Sequence, residues 1–232
     1  MPDSETASSA SSAPLSRDYE SAVEAESPRA VDAVLRLLDL GIAAAVLLVL
    51  SPLLAVIAVA ILLSSGAPVL YRGARVGRGG GVFEMYKFRT LARGAEDRLG
   101  PYYGAELTRR TAQEVTLVGR ALRAVHLDEV PQLWNVIKGD MSMVGPRPIR
   151  PAFFTQLTEE IPQYWQRLAV RPGVTGFAQM RITREDAWAF KLAHDMEYIA
   201  DRSIGLYFAV LFATIRRVLG SSQPLSGSPP AS

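Results

Sequence analysis

The sequence predicts an α+β protein, mainly helical, in which an apolar membrane segment precedes a small domain with a β-hairpin and amphipathic interfacial helices. Between Leu40 and Tyr71 there is no charged residue. A glycine-rich turn from Gly77 to Gly81 then separates two short stretches of alternating character, which is typical of a β-hairpin. Farther along, apolar residues recur at helical spacing. With 49% apolar residues, the 232-residue chain can bury a small core in addition to a membrane segment.

The two ends of the chain are predicted to be disordered tails. Residues 1–27 are rich in Ser, Ala and Glu and show no apolar period, and residues 220–232 are rich in Gly, Ser and Pro. The N-terminal tail does not fit a secretory signal peptide, because such a signal needs a basic start followed by an apolar core.

Residues 28–66 are predicted to form the membrane segment, because Leu40 to Leu63 is apolar and long enough to cross a bilayer. Ser51 and Pro52 interrupt it near the middle. Proline removes a helical hydrogen bond and favours a kink, and the serine hydroxyl can satisfy the freed carbonyl. Two topologies stay open: a hairpin of two half-helices that enters and leaves on one face, or one transmembrane helix that tolerates a proline. Upstream, an interfacial start of the same helix is predicted from charges set among apolar residues: Asp32, Arg36 and Asp39.

The segment "PVLYRGARVGRGGGVFEMYKFRT" is predicted to form the β-hairpin, with its turn at the glycines. Neither a Gly-Lys-Ser/Thr sequence nor a helix follows these glycines, which favours a turn over a phosphate-binding loop. In "KFRT", the two-residue repeat of a strand places Lys87 and Arg89 on the same face. Both cations are therefore predicted to point into one site.

Four helices are predicted after the hairpin. The first spans Pro131 to Lys138, with a proline in its first turn and Gly139 as its stop. The stretch from Arg93 to Thr116 is polar, has helical patches and is predicted to be a loose connection. The other helices span residues 152–167, with a break or bend at Pro162, residues 186–199 and residues 206–219.

Charge is unevenly distributed, although the formal net charge is only +2. Acidic residues lead in the first 27 positions, while arginine and lysine cluster between Arg72 and Arg123. The basic part is expected to meet anions, and composition alone allows lipid headgroups, nucleic acid or phosphorylated small molecules. The chain has no cysteine, which excludes disulfides, thiolate metal sites and cysteine nucleophiles.

Asp128 and Glu129 are adjacent carboxylates close to the start of the helix at Pro131. One interpretation is an acidic N-cap that forms ion pairs with nearby cations, namely Arg120, Arg123 and Lys138. The other is chemical. Consecutive side chains rarely point the same way, so one acid can attack or accept a proton while the other holds a divalent cation.

The sequence "GPRP", Gly145 to Pro148, sets Arg147 between two prolines. A stiff loop presents the guanidinium in one pose, which suits phosphate binding, although a packing turn is the alternative.

Together these pieces resemble the bacterial sugar transferase family, the monotopic polyprenyl-phosphate phosphoglycosyl transferases that begin glycan assembly on a lipid carrier. The resemblance covers about residues 31–219, and its central motif is long and specific. His126 stands where the family usually has a small hydroxyl residue, and "MRITRED" replaces a common glycine-arginine, so the sugar stays open. The matching pieces are the Ser51-Pro52 segment, "KFRT", "VGRALRAVHLDEVPQLWNVIKGDMSMVGPRP", "RPGVTGFAQM" and "HDMEYIADRSIGLYFAVLFATI".

The resemblance implies a two-step exchange with Mg²⁺ as cofactor and a UDP-sugar and polyprenyl phosphate as partners. Asp128 would attack the sugar-bearing phosphorus, release UMP and hold the sugar phosphate covalently until polyprenyl phosphate takes it over. Glu129 would hold Mg²⁺ on the diphosphate. The residues that would contact the phosphates and uridine are Lys87, Arg123, Pro146 and Arg147. Arg89 would join them if the two-residue alternation of strand side chains extends from Lys87 to Arg89.

The resemblance also implies a location. A re-entrant hairpin over residues 28–66 would seat a catalytic domain, residues 67–219, on the cytoplasmic face of the bacterial inner membrane, in contact with membrane lipid and not with nucleic acid. Three cations after the apolar segment agree with that side: Arg72, Arg75 and Arg78. Large relatives carry an extra membrane domain before this core, so the short N-terminal tail predicts the small form that consists of the core alone.

Two other functions stay open. One is a membrane-bound, Mg²⁺-dependent hydrolase of nucleotide sugars, in which water replaces the lipid acceptor. The other is a non-catalytic adaptor that binds anionic lipid through its basic patch, for which Asp128 and Glu129 should be replaceable.

Overall fold

A computed structural model describes residues 29–99, 104–181 and 187–220 of the chain. The predicted N-terminal tail, most of the C-terminal tail and most of "MRITRED" lie outside the described residues.

The first element is one long helix, α1 (Ala30–Ser65), with Pro52 inside it. Helical structure continues through the proline, so the predicted division into two half-helices is not confirmed and the kink at Pro52 stays a prediction. Pro52 has no N–H to give to the carbonyl of Leu48, and the Ser51 hydroxyl donates to that carbonyl at 2.8 Å instead. The predicted role of the serine is therefore confirmed.

The predicted β-hairpin is confirmed. Strands β1 (Leu70–Val76) and β2 (Val82–Phe88) pair antiparallel. Its turn contains Gly79 at a φ of 68° and Gly80 at a φ of 83°, left-handed conformations that glycine adopts without strain.

The rest of the chain is mainly helical, as predicted. The stretch predicted to be a loose connection contains two helices, α2 (Ala95–Leu99) and α3 (Gly104–Glu114). The predicted break near Pro162 is confirmed, since an α-helix ends at Glu160 and a 3₁₀ segment covers Pro162–Ala169. The remaining elements are α4 (Leu117–Ala124), α5 (Gln132–Lys138), β3 (Ser142–Val144), α6 (Pro151–Glu160), β4 (Gly173–Thr175), α7 (Phe177–Arg181), α8 (Trp188–Asp201) and α9 (Ile204–Gly220).

Helix α1 packs against the rest of the chain at both of its ends. In its first half, Ala43 is fully buried in a cluster with residues of β2 and α5. In its second half, Ile57 and Ile61 are buried against Phe88 and Leu122. Between these contacts, residues 48–56 include no buried residue, and Leu48 is 76% exposed. Helix α1 is long and apolar enough to cross a membrane, and only 11% of its most apolar window is buried, unlike the core helix of a soluble protein.

Helix α9 also carries an exposed apolar face. Its inner face packs in the core through Tyr207 and Val210, which are buried. Its outer face holds exposed apolar side chains at intervals of three and four residues, the spacing of a single helical stripe: Ile204, Phe208, Phe212 and Ile215.

Candidate active site

The candidate active site is built on the turn between α4 and α5. His126 has a φ of 56°, which is uncommon for a residue other than glycine, and it separates α4 from a 3₁₀ turn at Leu127–Glu129. Pro131 follows as the N-cap residue of α5, and Gly139 ends that helix in a left-handed conformation, as predicted. The fold therefore places Asp128 and Glu129 side by side immediately before α5.

Glu129 joins the three segments that form the site. Its Oε1 lies 2.5 Å from Lys87 Nζ on β2 and 3.6 Å from Arg147 Nη2 in the "GPRP" loop. Burial opposes ionisation, but the charges of Lys87 and Arg147 outweigh it and hold the pKa of Glu129 below its usual range. The structure thus brings Lys87 and Arg147 to Glu129, next to Asp128 in the chain, and the substrate contacts expected of them stay predictions.

Asp128 has the opposite environment. It is 8% exposed and forms no ion pair with any residue that the structure describes. Burial and then the negative charge of Glu129 raise the pKa of Asp128, against the opposing charges of Lys87 and Arg123. Two adjacent carboxylates whose environments separate their pKa values are a recurrent basis for dividing chemical roles.

Arg123 and Pro146 also lie at this site. Arg123 Nε donates to Thr90 Oγ1 at 2.8 Å, and the charge of Arg123 acts on Asp128. The carbonyl of Pro146 accepts a hydrogen bond from Gly173 N at 2.9 Å, which fixes the "GPRP" loop against the strand β4.

A buried ion pair behind the loop was not predicted. Arg167, 6% exposed, pairs with Asp195 at 2.7 Å, and its Nη2 donates to the carbonyl of Arg147 at 3.0 Å. Helical spacing gives no indication that charges 28 residues apart meet in the core. The pair holds the backbone that presents the Arg147 side chain.

Arg89 does not join Lys87, so the prediction that both cations point into one site is wrong. Strand β2 ends at Phe88, and the alternation of side chains therefore stops before Arg89. The Arg89 guanidinium donates instead to the carbonyls of Ser65 and Gly66, at 2.8 and 2.5 Å, at the C-terminal end of α1. Arg89 fixes the end of the apolar helix to the domain.

The side chains at this site would hold a magnesium ion only together with ligands from substrate phosphates and water. Within the described ranges, no three His, Cys, Asp or Glu side chains cluster as a metal site. Mg²⁺ commonly uses one or two carboxylates together with substrate phosphates and water. Asp128 and Glu129 provide two such carboxylates, and a cation would relieve the repulsion that raises the pKa of Asp128. These residues therefore fit Mg²⁺ in the presence of a phosphorylated substrate.

Several known proteins are similar to this chain in sequence. An Aeromonas hydrophila UDP-N-acetylgalactosamine-undecaprenyl-phosphate N-acetylgalactosaminephosphotransferase is 40% identical over 73% of this chain and 40% of its own length. A Caulobacter vibrioides UDP-glucose:undecaprenyl-phosphate glucose-1-phosphate transferase is 40% identical over 82% of this chain and 71% of its own length. A Rhizobium leguminosarum exopolysaccharide production protein is 37% identical over 78% of this chain and 92% of its own length. The chain thus spans about two fifths of the Aeromonas protein and most of the Rhizobium one.

A family model gives the broadest match. The model described as bacterial sugar transferase covers residues 30–221, which include α1, the carboxylate turn and α9. On this match and on the relatives, the chain belongs to the bacterial sugar transferase family.

Proposed function

We propose that the chain transfers a sugar 1-phosphate from a UDP-sugar to polyprenyl phosphate, with Asp128 as the nucleophile. The observation that carries the proposal is the contrast between the adjacent carboxylates. Glu129 is held by two cations, whereas Asp128 is buried and has no ion pair among the described residues. An acidic N-cap does not require different environments for the two carboxylates. The family match and the names of the relatives support the same reaction class.

In the first step, a carboxylate oxygen of Asp128 attacks the sugar-bearing phosphorus. The new bond joins that oxygen to phosphorus, and the bond from phosphorus to the oxygen of UMP breaks, so UMP leaves with the electron pair. In the second step, a phosphate oxygen of polyprenyl phosphate attacks the same phosphorus and Asp128 leaves as a carboxylate. The products are UMP and a polyprenyl-diphosphate-linked sugar.

The cations around the turn lower the cost of bringing an anionic nucleophile to an anionic substrate. Lys87 and Arg147 contact Glu129, and the charges of Lys87 and Arg123 act on Asp128 to favour its ionised form. Preorganised charges of this kind stabilise the additional negative charge of the transition state. Glu129 would hold Mg²⁺, which when bound neutralises charge on the diphosphate.

We also propose that α1 enters and leaves the membrane on the cytoplasmic face, where nucleotide sugars are made. Its 36 residues span about 54 Å at 1.5 Å per residue, whereas a hydrocarbon core is about 30 Å thick. Asp32 near its start pairs with Arg202, and Ser65 at its end accepts from Arg89. A single crossing would put these ends on opposite sides of the bilayer, where one domain does not reach both. The exposed apolar stripe of α9 would lie at the same interface.

The reaction is tested by trapping the intermediate. The purified full chain is incubated with Mg²⁺ and a panel of UDP-sugars carrying labelled sugar phosphate, without polyprenyl phosphate, and is then denatured. The proposal expects UMP release of about one equivalent and label on the peptide that contains Asp128. The matched control Asp201→Asn removes one exposed carboxylate and should label normally. Steady UMP release without an acceptor would indicate a hydrolase, and label on another residue would exclude Asp128 as the nucleophile.

The membrane path is tested with tags before Val31 and after Gly220. Both tags should report the cytoplasm in the wild type. Changing Ser51 to Ala together with Pro52 to Leu removes the interruption and should favour a single crossing, which moves the N-terminal tag outside. A wild-type N-terminus found outside would contradict the same-face path and leave the chemistry untouched.

A further inference from the structure

A polar pocket separate from the candidate active site lies where the N-terminal third of α1 meets the hairpin turn and the loop before β4. Its volume is about 90 Å³. None of the active-site cations or carboxylates lines it. Its charged lining contains four arginines and two aspartates, an excess of two positive charges: Arg36, Arg78, Arg171, Arg202, Asp32 and Asp39.

Two of the arginines have structural partners. Arg202 pairs with Asp32 at 2.7 Å. Arg36 donates to the carbonyls of Val136 and Ile137, at 2.7 and 3.1 Å, where the C-terminal end of α5 attracts positive charge. These two cations are explained by the fold.

The other two arginines keep free donors. Arg171 Nε donates to the carbonyl of Gly139 at 2.8 Å, but its two terminal amino groups form no hydrogen bond within the described part of the chain. Arg78, at the hairpin turn, is exposed and its guanidinium forms none with the described residues either. Burial, followed by the charges of Arg36 and Arg78, lowers the pKa of Arg171. The cations therefore crowd one another, and an anion between them would relieve the repulsion.

The pocket lies beside the apolar surfaces of the molecule. On the opposite side of α1 at the same level, Val34 is 41% and Leu37 is 71% exposed. Arg202 directly precedes α9, whose exposed apolar stripe begins at Ile204. Cationic side chains at the edge of an apolar membrane-facing surface lie at the depth of lipid phosphates.

We propose that this pocket binds a phosphate group through Arg78 and Arg171, carried by an anionic membrane lipid or by a soluble phosphate ester. Guanidinium groups bind phosphate oxygens through charge-assisted, two-pronged hydrogen bonds. One phosphate offsets the excess charge of the pocket, since a monoester carries about −1.5 to −2 at neutral pH and a diester carries about −1. The site is separate from the chemistry proposed for Asp128 and would anchor the domain at the membrane surface.

The test measures thermal unfolding of the full chain in an uncharged detergent during titration with a soluble ligand. Dihexanoylphosphatidylglycerol represents the lipid, inorganic phosphate represents the soluble ester, and dihexanoylglycerol is the control without phosphate. Arg78→Gln is the main variant because the exposed Arg78 side chain forms no hydrogen bond with the described residues, so its loss should leave folding intact. Arg72→Gln is the matched control, since it removes an exposed arginine of the same hairpin that does not line the pocket.

The expected result is stabilisation by phosphatidylglycerol, by inorganic phosphate or by both, but not by dihexanoylglycerol. Arg78→Gln should weaken the apparent Kd about tenfold, the equivalent of about 1.4 kcal/mol, and Arg72→Gln less than about twofold. Stabilisation by the lipid alone assigns the phosphate to a headgroup, and equal stabilisation by inorganic phosphate assigns it to a soluble ester. No stabilisation by either phosphate probe, or equal losses in the two variants, overturns the proposal.

Discussion

Asp39 and Asp128 are both buried carboxylates, but Asp39 lies where α1 joins the domain and Asp128 lies in the active-site turn. Asp39 is 2% exposed, and its Oδ1 accepts from Met143 N, Ser142 Oγ and Tyr207 Oη at 2.9 to 3.1 Å. Asp128 has a similar exposure and no ion pair among the described residues. Burial alone therefore does not distinguish the two acids.

The comparison teaches that the partners of the carboxylate, not its burial, separate a structural acid from the acid proposed to react: three donors from distant residues hold Asp39, whereas only the charges of its neighbours act on Asp128 besides its own backbone. Hydrogen bonds to every side of an oxygen stabilise the fold but occupy the lone pairs that a nucleophile needs. Substitutions at Asp128 and at Asp39 are therefore expected to act on different properties, activity and stability.

The largest effect is expected at Asp128. Asp128→Asn keeps the shape of the side chain and removes the nucleophile, so turnover should fall at least about a thousandfold, in line with the loss of other covalent nucleophiles. UMP release from a UDP-sugar measures it, with Asp201→Asn as the control. The melting temperature should not fall below that of the wild type, because no ion pair is lost and the cost of burying an ionised Asp128 is removed. Activity above about a tenth of wild type would show that Asp128 is not the nucleophile.

At Asp39, the expected effect is on stability. Asp39→Ala leaves three donors without their acceptor, one buried and two partly buried, and should lower the free energy of unfolding by about 2–4 kcal/mol. Chemical denaturation in detergent measures the change, and Asp201→Ala controls for the loss of one exposed acid. The activity of the fraction that remains folded should be close to wild type. A loss of activity at unchanged stability would place Asp39 in the chemistry and break the comparison.

A smaller effect is expected behind the "GPRP" loop. Arg167→Lys keeps a charge opposite Asp195 but loses the hydrogen bond to the carbonyl of Arg147. One hydrogen bond is worth about 0.5–1.5 kcal/mol, so kcat should fall by up to about tenfold. Arg150→Lys, an exposed arginine outside this contact, serves as the control. A fall in stability with no change in kcat would make the pair purely structural.

The smallest effect concerns pH. Because the folded protein raises the pKa of Asp128, the acid limb of kcat should lie above the ordinary aspartate value of about 3.9. Ionised Asp128 costs folding free energy, a cost absent below its unfolded pKa and complete above its folded pKa. Glu129, whose pKa is lowered, contributes stability above its unfolded pKa and loses it as pH falls through its folded pKa. Asp128→Asn should therefore gain stability relative to wild type as pH rises through the folded pKa, and a constant difference would contradict the assignment.

What the sequence predicts here depends on how local the cause is. The carboxylate turn, α5 with its glycine stop and the β-hairpin all follow from neighbouring residues, and they are found. Asp39 was recognisable as a charge at the edge of an apolar helix, but its partners Ser142 and Tyr207 come 103 and 168 residues later, so no local pattern identifies them. The prediction for Arg89 was wrong for a related reason, because the alternation of strand side chains was extended one residue beyond Phe88, the last residue of β2.

The distant partners of α1 also set an order of events during synthesis. Helix α1 leaves the ribosome first, whereas Arg202 and Tyr207, which hold Asp32 and Asp39, follow 170 and 168 residues later. At about 5–20 residues per second, this delay is on the order of 10 to 30 s. The first distant partners of its charged side, Val136 for Arg36 and Ser142 for Asp39, follow about 100 residues after them. On the membrane path proposed above, α1 therefore meets lipid before the residues that hold its charged side have been made.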